Sequence, residues 1–208
     1  RTLVKYGLKV LRKTKRLGLQ ELYKISGTKV ETMSSYTIGF QIGPRLNAAG
    51  RIDHANTAYQ LLITDNLEEA IKISNELNAK NRERQDLTKE MVAEAKESIG
   101  LVNDEKKMIW VKESTWNLGI IGLVAGRLSN EFYRPSFALG YDGQNWVCSS
   151  RGIDELDLME VIKSVSDKLI RFGGHKSAAG FSLNEKNLEA VQKEMEEFIN
   201  KKLKGVEL

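Results

Sequence analysis

Hydrophobic positions follow one spacing up to about residue 100 and another beyond it. In the first part they recur at helical intervals. Leu3, Leu8, Val10 and Leu11 predict an amphipathic helix in a segment closed by Gly18, and a second short helix from Leu19 to Ile25 ends at Gly27. Gly43-Pro44 is expected to break regular structure, after which Ala55 to Ile63 reads as helix. Asp65 or Asn66 can cap a long helix running from about Leu67 to about Ile99, which contains neither Gly nor Pro. Its middle, Asn78 to Asp86, is too polar to be buried all round, and no apolar heptad persists through it. That pattern suits a connector between two lobes better than a coiled coil.

From Lys107 short apolar runs alternate with amphipathic stretches. Strands are predicted at Met108–Val111, Ser136–Leu139, Asn145–Ser149 and Phe181–Leu183, with a hairpin turn at Asp142-Gly143. Helices are predicted over Gly119–Phe132, Leu156–Phe172 and Glu185–Leu203, the second ended by Gly173-Gly174. The order βαββαβα predicts an α/β fold with a compact mixed sheet. The chain thus divides into a mostly helical region over 1–65, a connector helix over 66–100 and an α/β domain over 105–208.

At 208 residues, with 41% apolar and 29% charged side chains, the chain can bury a substantial core. No apolar run approaches the roughly 20 residues needed to cross a bilayer, so no membrane role is expected. Cys148 is the only cysteine, which rules out a disulfide within the chain and fits a reducing, cytoplasmic setting. The net charge of +4 is uneven: residues 1–30 carry nine Lys or Arg and one acid, Glu21. Such an arm suits nucleic acid, and equally a solvated helix face or a surface that packs on a neighbour.

Two stretches carry candidate chemistry. In Phe172-Gly-Gly-His-Lys-Ser-Ala-Ala-Gly-Phe181 the backbone is nearly bare, so its amides can hold an anion while His175 and Lys176 add donors. A helix C-cap running into a small-residue strand reads equally well. In the other, Arg45 and Arg51 bracket Ala48-Ala49-Gly50, an arrangement suited to phosphate unless one arginine pairs with Asp53.

Three motifs then line up in order. They are Gly43-Pro-Arg-Leu-Asn-Ala-Ala-Gly-Arg51, Trp116-Asn-Leu-Gly-Ile-Ile-Gly-Leu-Val-Ala-Gly-Arg127 and Gly173-Gly-His-Lys-Ser-Ala-Ala-Gly180. With the long polar helix between the first two, they closely resemble the RecJ-type single-strand-specific exonucleases of the DHH phosphoesterase superfamily. The resemblance implies an N-terminal DHH lobe whose Asp and His residues bind two Mn²⁺ or Mg²⁺ ions, a connector helix, and a DHH-associated domain that binds single-stranded DNA. It implies processive 5′→3′ release of mononucleotides by two-metal hydrolysis, in DNA repair and recombination. On this reading residues 1–65 are the end of the DHH lobe, 105–208 are the DHH-associated domain, and an oligonucleotide-binding domain can follow.

The resemblance assigns substrate or phosphate binding to Arg45, Asn47 and Arg51, to Ser149, Ser150 and Arg151, and to Gly173, Gly174 and His175. Gly152 stands where the family usually has a second serine, and Asn117 replaces its usual histidine, which leaves proton transfer there in doubt. Trp116, Tyr133, Tyr141 and Trp146 are read as core or surface before base-stacking, and Ala178 and Ala179 as packing residues. With His54 and His175 its only histidines, the sequence has no Asp-His-His triplet. Asp53-His54 is a weak metal candidate, and Arg1-Thr-Leu-Val resembles the segment after the family's last metal motif. The chain is therefore expected to hold the strand and not to cut it, with no metal site and no catalytic residue of its own. Two alternatives stay open: a DHH phosphodiesterase for short oligonucleotides or cyclic dinucleotides, and a non-catalytic nucleic-acid-binding module.

Overall fold

In the computed structural model, which describes residues 1–52 and 56–208, the chain forms two units, Arg1–Asp86 and Leu87–Leu208, divided within the long helix. The first is helical: α1 (Thr2–Arg12), α2 (Leu17–Ser26), α3 (Ser35–Thr37), α4 (Gly43–Ile52) and α5 (Asn56–Ile63). Leu22, Met33, Leu61 and Leu77 are fully buried at its centre. Each such side chain contributes about 1.5–3 kcal/mol of transfer free energy. Gly27 ends α2 in the left-handed region (φ 66°), its N–H donating to the Lys24 carbonyl. Helix α6 (Leu67–Ile99) starts in this unit, where Asn66 Oδ1 accepts the Glu69 N–H at 3.2 Å.

Two expectations for this unit need correction. Gly18 does not close a segment but lies inside α2, where an added Cβ would sit 1.7 Å from the Leu61 carbonyl oxygen. Its role is to let α2 lie directly on α5. Nor does Gly43-Pro44 break the chain. A π-helical turn over Ile38–Ile42 joins α3 to α4, and the Gly43 N–H donates to the Ile38 carbonyl. Proline is tolerated here because it stands in the first turn of α4.

The second unit is built on a mixed five-stranded sheet: β1 (Ile109–Lys112), β2 (Ser136–Tyr141), β3 (Trp146–Arg151), β4 (Arg171–His175) and β5 (Ala178–Leu183). The strand order is β1-β2-β3-β5-β4, with β1 parallel to β2 and the other pairs antiparallel. The helices are α7 (Ile121–Phe132), α8 (Leu158–Lys163) and α9 (Leu188–Lys202). One face of the sheet buries Ile109 and Ala138 under Val124 and Leu128 of α7 and Met91, Ala95 and Ile99 of α6. The other buries Phe137, Leu139 and Phe181 against Val161 and Ile162 of α8 and Val191, Met195 and Ile199 of α9.

The expected helix over Leu156–Phe172 is the main difference. Helix α8 stops at Lys163, and a 3₁₀ turn follows at Ser166–Lys168. The chain then becomes β4, entered through an Ile170 N–H bond to the Ser182 carbonyl at 2.8 Å. Gly173-Gly174 is thus part of an edge strand and not a helix cap, and the order is βαββαββα. Among the described residues no helix is long and apolar enough to cross a membrane.

Candidate nucleic-acid interface

The registers of β3, β5 and β4 bring two of the sequence motifs together. Arg151 pairs with Ala178, which pairs with His175; one pleat along, Ser149 pairs with Gly180, which pairs with Gly173. Directly paired residues share a face, so Ser149, Arg151, Gly180, Ala178, Gly173 and His175 form two rows on one side of the sheet. Arg151 and His175 stand two strand spacings apart, about 10 Å. Helix α7 packs over β2 and β3 on this side. Beyond it Gly173 and His175 are exposed, and Ala178 and Gly180 are half-buried.

Gly122 and Gly126, one turn apart on α7, seat the polar side chains of β3. A Cβ at Gly122 would lie 2.9 Å from Ser149 Oγ and 3.5 Å from Arg151 Nη2, and one at Gly126 3.7 Å from Arg151 Cγ. The Arg151 Nη1 donates to the Ser150 carbonyl at 2.8 Å. Ser150 belongs to the opposite face: it is fully buried and its hydroxyl donates to the Ala179 carbonyl at 2.8 Å. The structure therefore brings Ser149 and Arg151 to the shelf and turns Ser150 away.

A two-residue turn, Lys176-Ser177, closes the β4–β5 hairpin. It is pinned from outside, because the Gly152 N–H donates to the Ser177 carbonyl (2.9 Å) and the Leu158 N–H to the Lys176 carbonyl (3.0 Å). Gly152 packs close to Leu158 and the Lys176 carbonyl, where a serine side chain would be crowded. His175 Nδ1 lies 3.2 Å from Ser177 Oγ.

The three glycines of β4 and β5 differ in what they are for. Gly174 has φ 145°, and a Cβ there would sit 2.4 Å from Ala179 Cα. At Gly180 it would meet the Cys148 carbonyl oxygen at 2.8 Å. Both are required by the packing of the protein itself. At Gly173 an added Cβ would meet nothing within 4 Å. The bareness at that point is open to whatever docks there. Arg171, exposed at the start of β4, adds a cation that the sequence reading passed over because it placed the residue near a helix end. Gly122 and Gly126 were also missed, although their i,i+4 spacing within an apolar helix was the available signal.

In the first unit the arginine motif is helical, and Ala48 and Ala49 between the two arginines are fully buried and not open to a phosphate. Arg45 is half-buried, donating from Nε to Asn78 Oδ1 (2.9 Å) and from Nη1 to the Gln41 carbonyl (2.6 Å). Burial, with Arg82 nearby, holds its guanidinium below the ordinary value. Arg45 thus ties α4 to α6, whereas Asn47 and Arg51 are exposed on α4. Asp53 and His54 lie outside the described residues.

The aromatic side chains singled out earlier occupy varied places. Trp116 and Trp146 are buried, with Trp116 Nε1 donating to Glu94 Oε2 at 2.7 Å and Trp146 Nε1 to Glu185. Tyr141 packs half-buried on the core, and Tyr133 is partly exposed with its hydroxyl donating to Glu155. Asn117 stands in the turn before α7, its Oδ1 accepting the Gly119 N–H at 2.8 Å. Among the described residues no group of three or more His, Cys, Asp or Glu is placed to hold a metal ion.

The model of the DHHA1 domain matches residues 105–201, which hold the sheet and the shelf. The RecJ single-stranded-DNA-specific exonuclease of Bacillus subtilis is 37% identical over 98% of this chain. The crystal structure of RecJ from Thermus thermophilus in complex with Mg²⁺ superposes on 96% of it with a TM-score of 0.86 and 31% identity. Over nearly its whole length the chain is similar to the RecJ family. A second Thermus thermophilus RecJ structure, in complex with Mn²⁺, gives a TM-score of 0.85 over the same share. The match covers only part of these relatives: 26% of the Bacillus protein and 31% and 29% of the two Thermus structures. Among the described residues no ligand cluster fits the metal ions of those two structures.

Proposed function

We propose that this chain is the substrate-binding part of a RecJ-type 5′→3′ single-stranded-DNA exonuclease that serves DNA repair and recombination in the cytoplasm. A DHH lobe of the same protein supplies the Mn²⁺ or Mg²⁺ site and the phosphodiester chemistry, and a further oligonucleotide-binding domain extends the grip. This chain holds the strand. The observation that carries the reading is the shelf on β5 and β4. Its glycine at 173 is bare without any packing reason, and Arg171 and His175 of β4 and Arg151 of β3 stand on the same face of the sheet.

A phosphate resting on Gly173 takes charge-assisted hydrogen bonds from Arg151 on one side and His175 on the other. Ser149 adds a neutral donor beside Arg151, and Gly174 and Gly180 keep the strands close enough for the shelf to stay flat. Asn47 and Arg51 provide a contact to the sugar–phosphate chain on the first unit.

The test is direct titration of the purified chain with a single strand and with the matching duplex at 50 and 200 mM salt. We expect preference for the single strand and weakening of binding by at least tenfold across that salt range. We also expect no release of nucleotides in the presence of Mn²⁺. Tighter binding to duplex, or hydrolysis by the chain alone, contradicts the reading.

A further inference from the structure

His175 is exposed, and an exposed side chain turns quickly between rotamers unless something holds it. Among the described residues its ring has one hydrogen-bond partner, the Ser177 hydroxyl, whose Oγ lies 3.2 Å from Nδ1. The two residues stand on either side of Lys176 at the end of the β4–β5 hairpin, where His175 pairs with Ala178.

The hydroxyl is presented from a fixed support. The Ser177 carbonyl accepts the Gly152 N–H at 2.9 Å, and the Lys176 carbonyl accepts the Leu158 N–H at 3.0 Å. Leu158 is itself fully buried at the start of α8, where Asp157 Oδ1 accepts the Met159 N–H at 2.8 Å. The chain that follows β3 thus clamps the main chain of the turn and, with it, the place of Ser177 beside the ring.

The two ring nitrogens are distinct, and the bond that one makes decides what the other can offer. With Nδ1 taken by Ser177, Nε2 is the nitrogen left for a ligand. A hydroxyl donates to Nδ1 of a neutral imidazole, which keeps the ring proton on Nε2, and accepts from Nδ1–H of a charged one, which has a proton on both nitrogens. Either arrangement leaves Nε2–H a donor, as a phosphate oxygen requires. A bare Nε2 would set its own lone pair against those of the phosphate.

We propose that Ser177 is a positioning residue of the shelf: its hydroxyl holds Nδ1 of His175, so that the ring presents Nε2–H to a phosphate of the bound strand. The inference rests on the phosphate-binding reading above and adds the residue through which His175 acts. A ring ordered beforehand also loses less freedom on binding.

The test reads the ring itself by nuclear magnetic resonance. The chain has two histidines, His54 and His175, so its imidazole nitrogen signals are assigned by comparison with His175→Gln. Spectra are recorded at pH 8, above the ordinary imidazole value of about 6.5, with and without a twelve-nucleotide oligothymidylate. We expect the ring proton of the free wild type on Nε2, and we expect the strand to shift Nε2 while Nδ1 stays in place. Ser177→Ala should shift Nδ1 in the free chain and weaken strand binding about two- to tenfold, the scale of one hydrogen bond. Ser177→Thr keeps a hydroxyl and should restore both. Alanine also keeps the carbonyl that Gly152 bonds, so the Gly152 amide signal and the melting temperature should not change, which separates loss of the hydroxyl from loss of the turn. A wild-type ring protonated on Nδ1 overturns the proposal, as does a Ser177→Ala variant whose ring signals match the wild type, whatever its affinity. In that second case a strand that still shifts Nε2 leaves the shelf reading standing. A strand that moves neither nitrogen of the wild type removes both.

Discussion

Gly173 and Gly174 are neighbours in sequence with opposite reasons for being glycine. At Gly174 the backbone conformation (φ 145°) and the contact with Ala179 forbid a side chain. Gly174→Ala should therefore cost about 1–3 kcal/mol of stability or more. At Gly173 nothing in the protein objects, and alanine is the better strand residue. Gly173→Ala should leave stability unchanged or raise it by up to about 1 kcal/mol, while weakening binding of single-stranded DNA. Thermal denaturation read beside strand titration distinguishes the two. Loss of stability without loss of binding in Gly173→Ala would mean that the shelf receives no ligand. Cys148, fully buried one residue from Ser149, has its thiol pushed well up by burial, so its role is packing and not reactivity.

Between elements, the two turns of the sheet hold register by different means. At the β2–β3 hairpin the Asp142 carboxylate accepts the Asn145 and Gln144 N–H groups (2.7 and 2.9 Å), which hold it below the ordinary carboxylate value; Arg171 adds to the shift. A depressed folded-state value stabilises the fold fully above the ordinary Asp value of about 3.9 and is lost as pH falls through the lower folded one. Asp142→Asn should accordingly melt below the wild type at pH 7, and the gap should close as pH drops below about 4. A gap that persists at lower pH would contradict this origin. Helix contact is tested at Gly18, where alanine would force α2 from the Leu61 carbonyl. Gly18→Ala should destabilise by about 1–3 kcal/mol in chemical denaturation.

How much of this was legible in sequence follows from how local each signal is. Helix α6 was readable to its ends because its cap at Asn66 and its freedom from Gly and Pro are local features. The β2–β3 turn was readable for the same reason. Strand β4 was not, since Leu169 to Phe172 continues the helical spacing of α8 and only pairing with β5 overrules it. Gly18 looked like a terminator because nothing in its neighbourhood announces Leu61. At the candidate site the motifs named the right stretches, but only the register showed that Ser149 and Arg151 share a face with Gly173 and His175 while Ser150 does not.

At the scale of the whole molecule, a helical unit and an α/β unit each present a cationic, partly bare surface, and neither assembles a metal cluster among the described residues. We propose further that the phosphate held on the Gly173 shelf is the 5′-terminal one of a single strand. It is tested most directly by fluorescence anisotropy with two strands that differ only in a 5′-phosphate, for the wild type and Arg151→Ala. A charge-assisted contact of about 1.5–3 kcal/mol predicts at least a tenfold preference of the wild type for the phosphate, removed by the substitution. Equal affinity of the wild type for both strands, or a preference that survives in Arg151→Ala, would contradict the account.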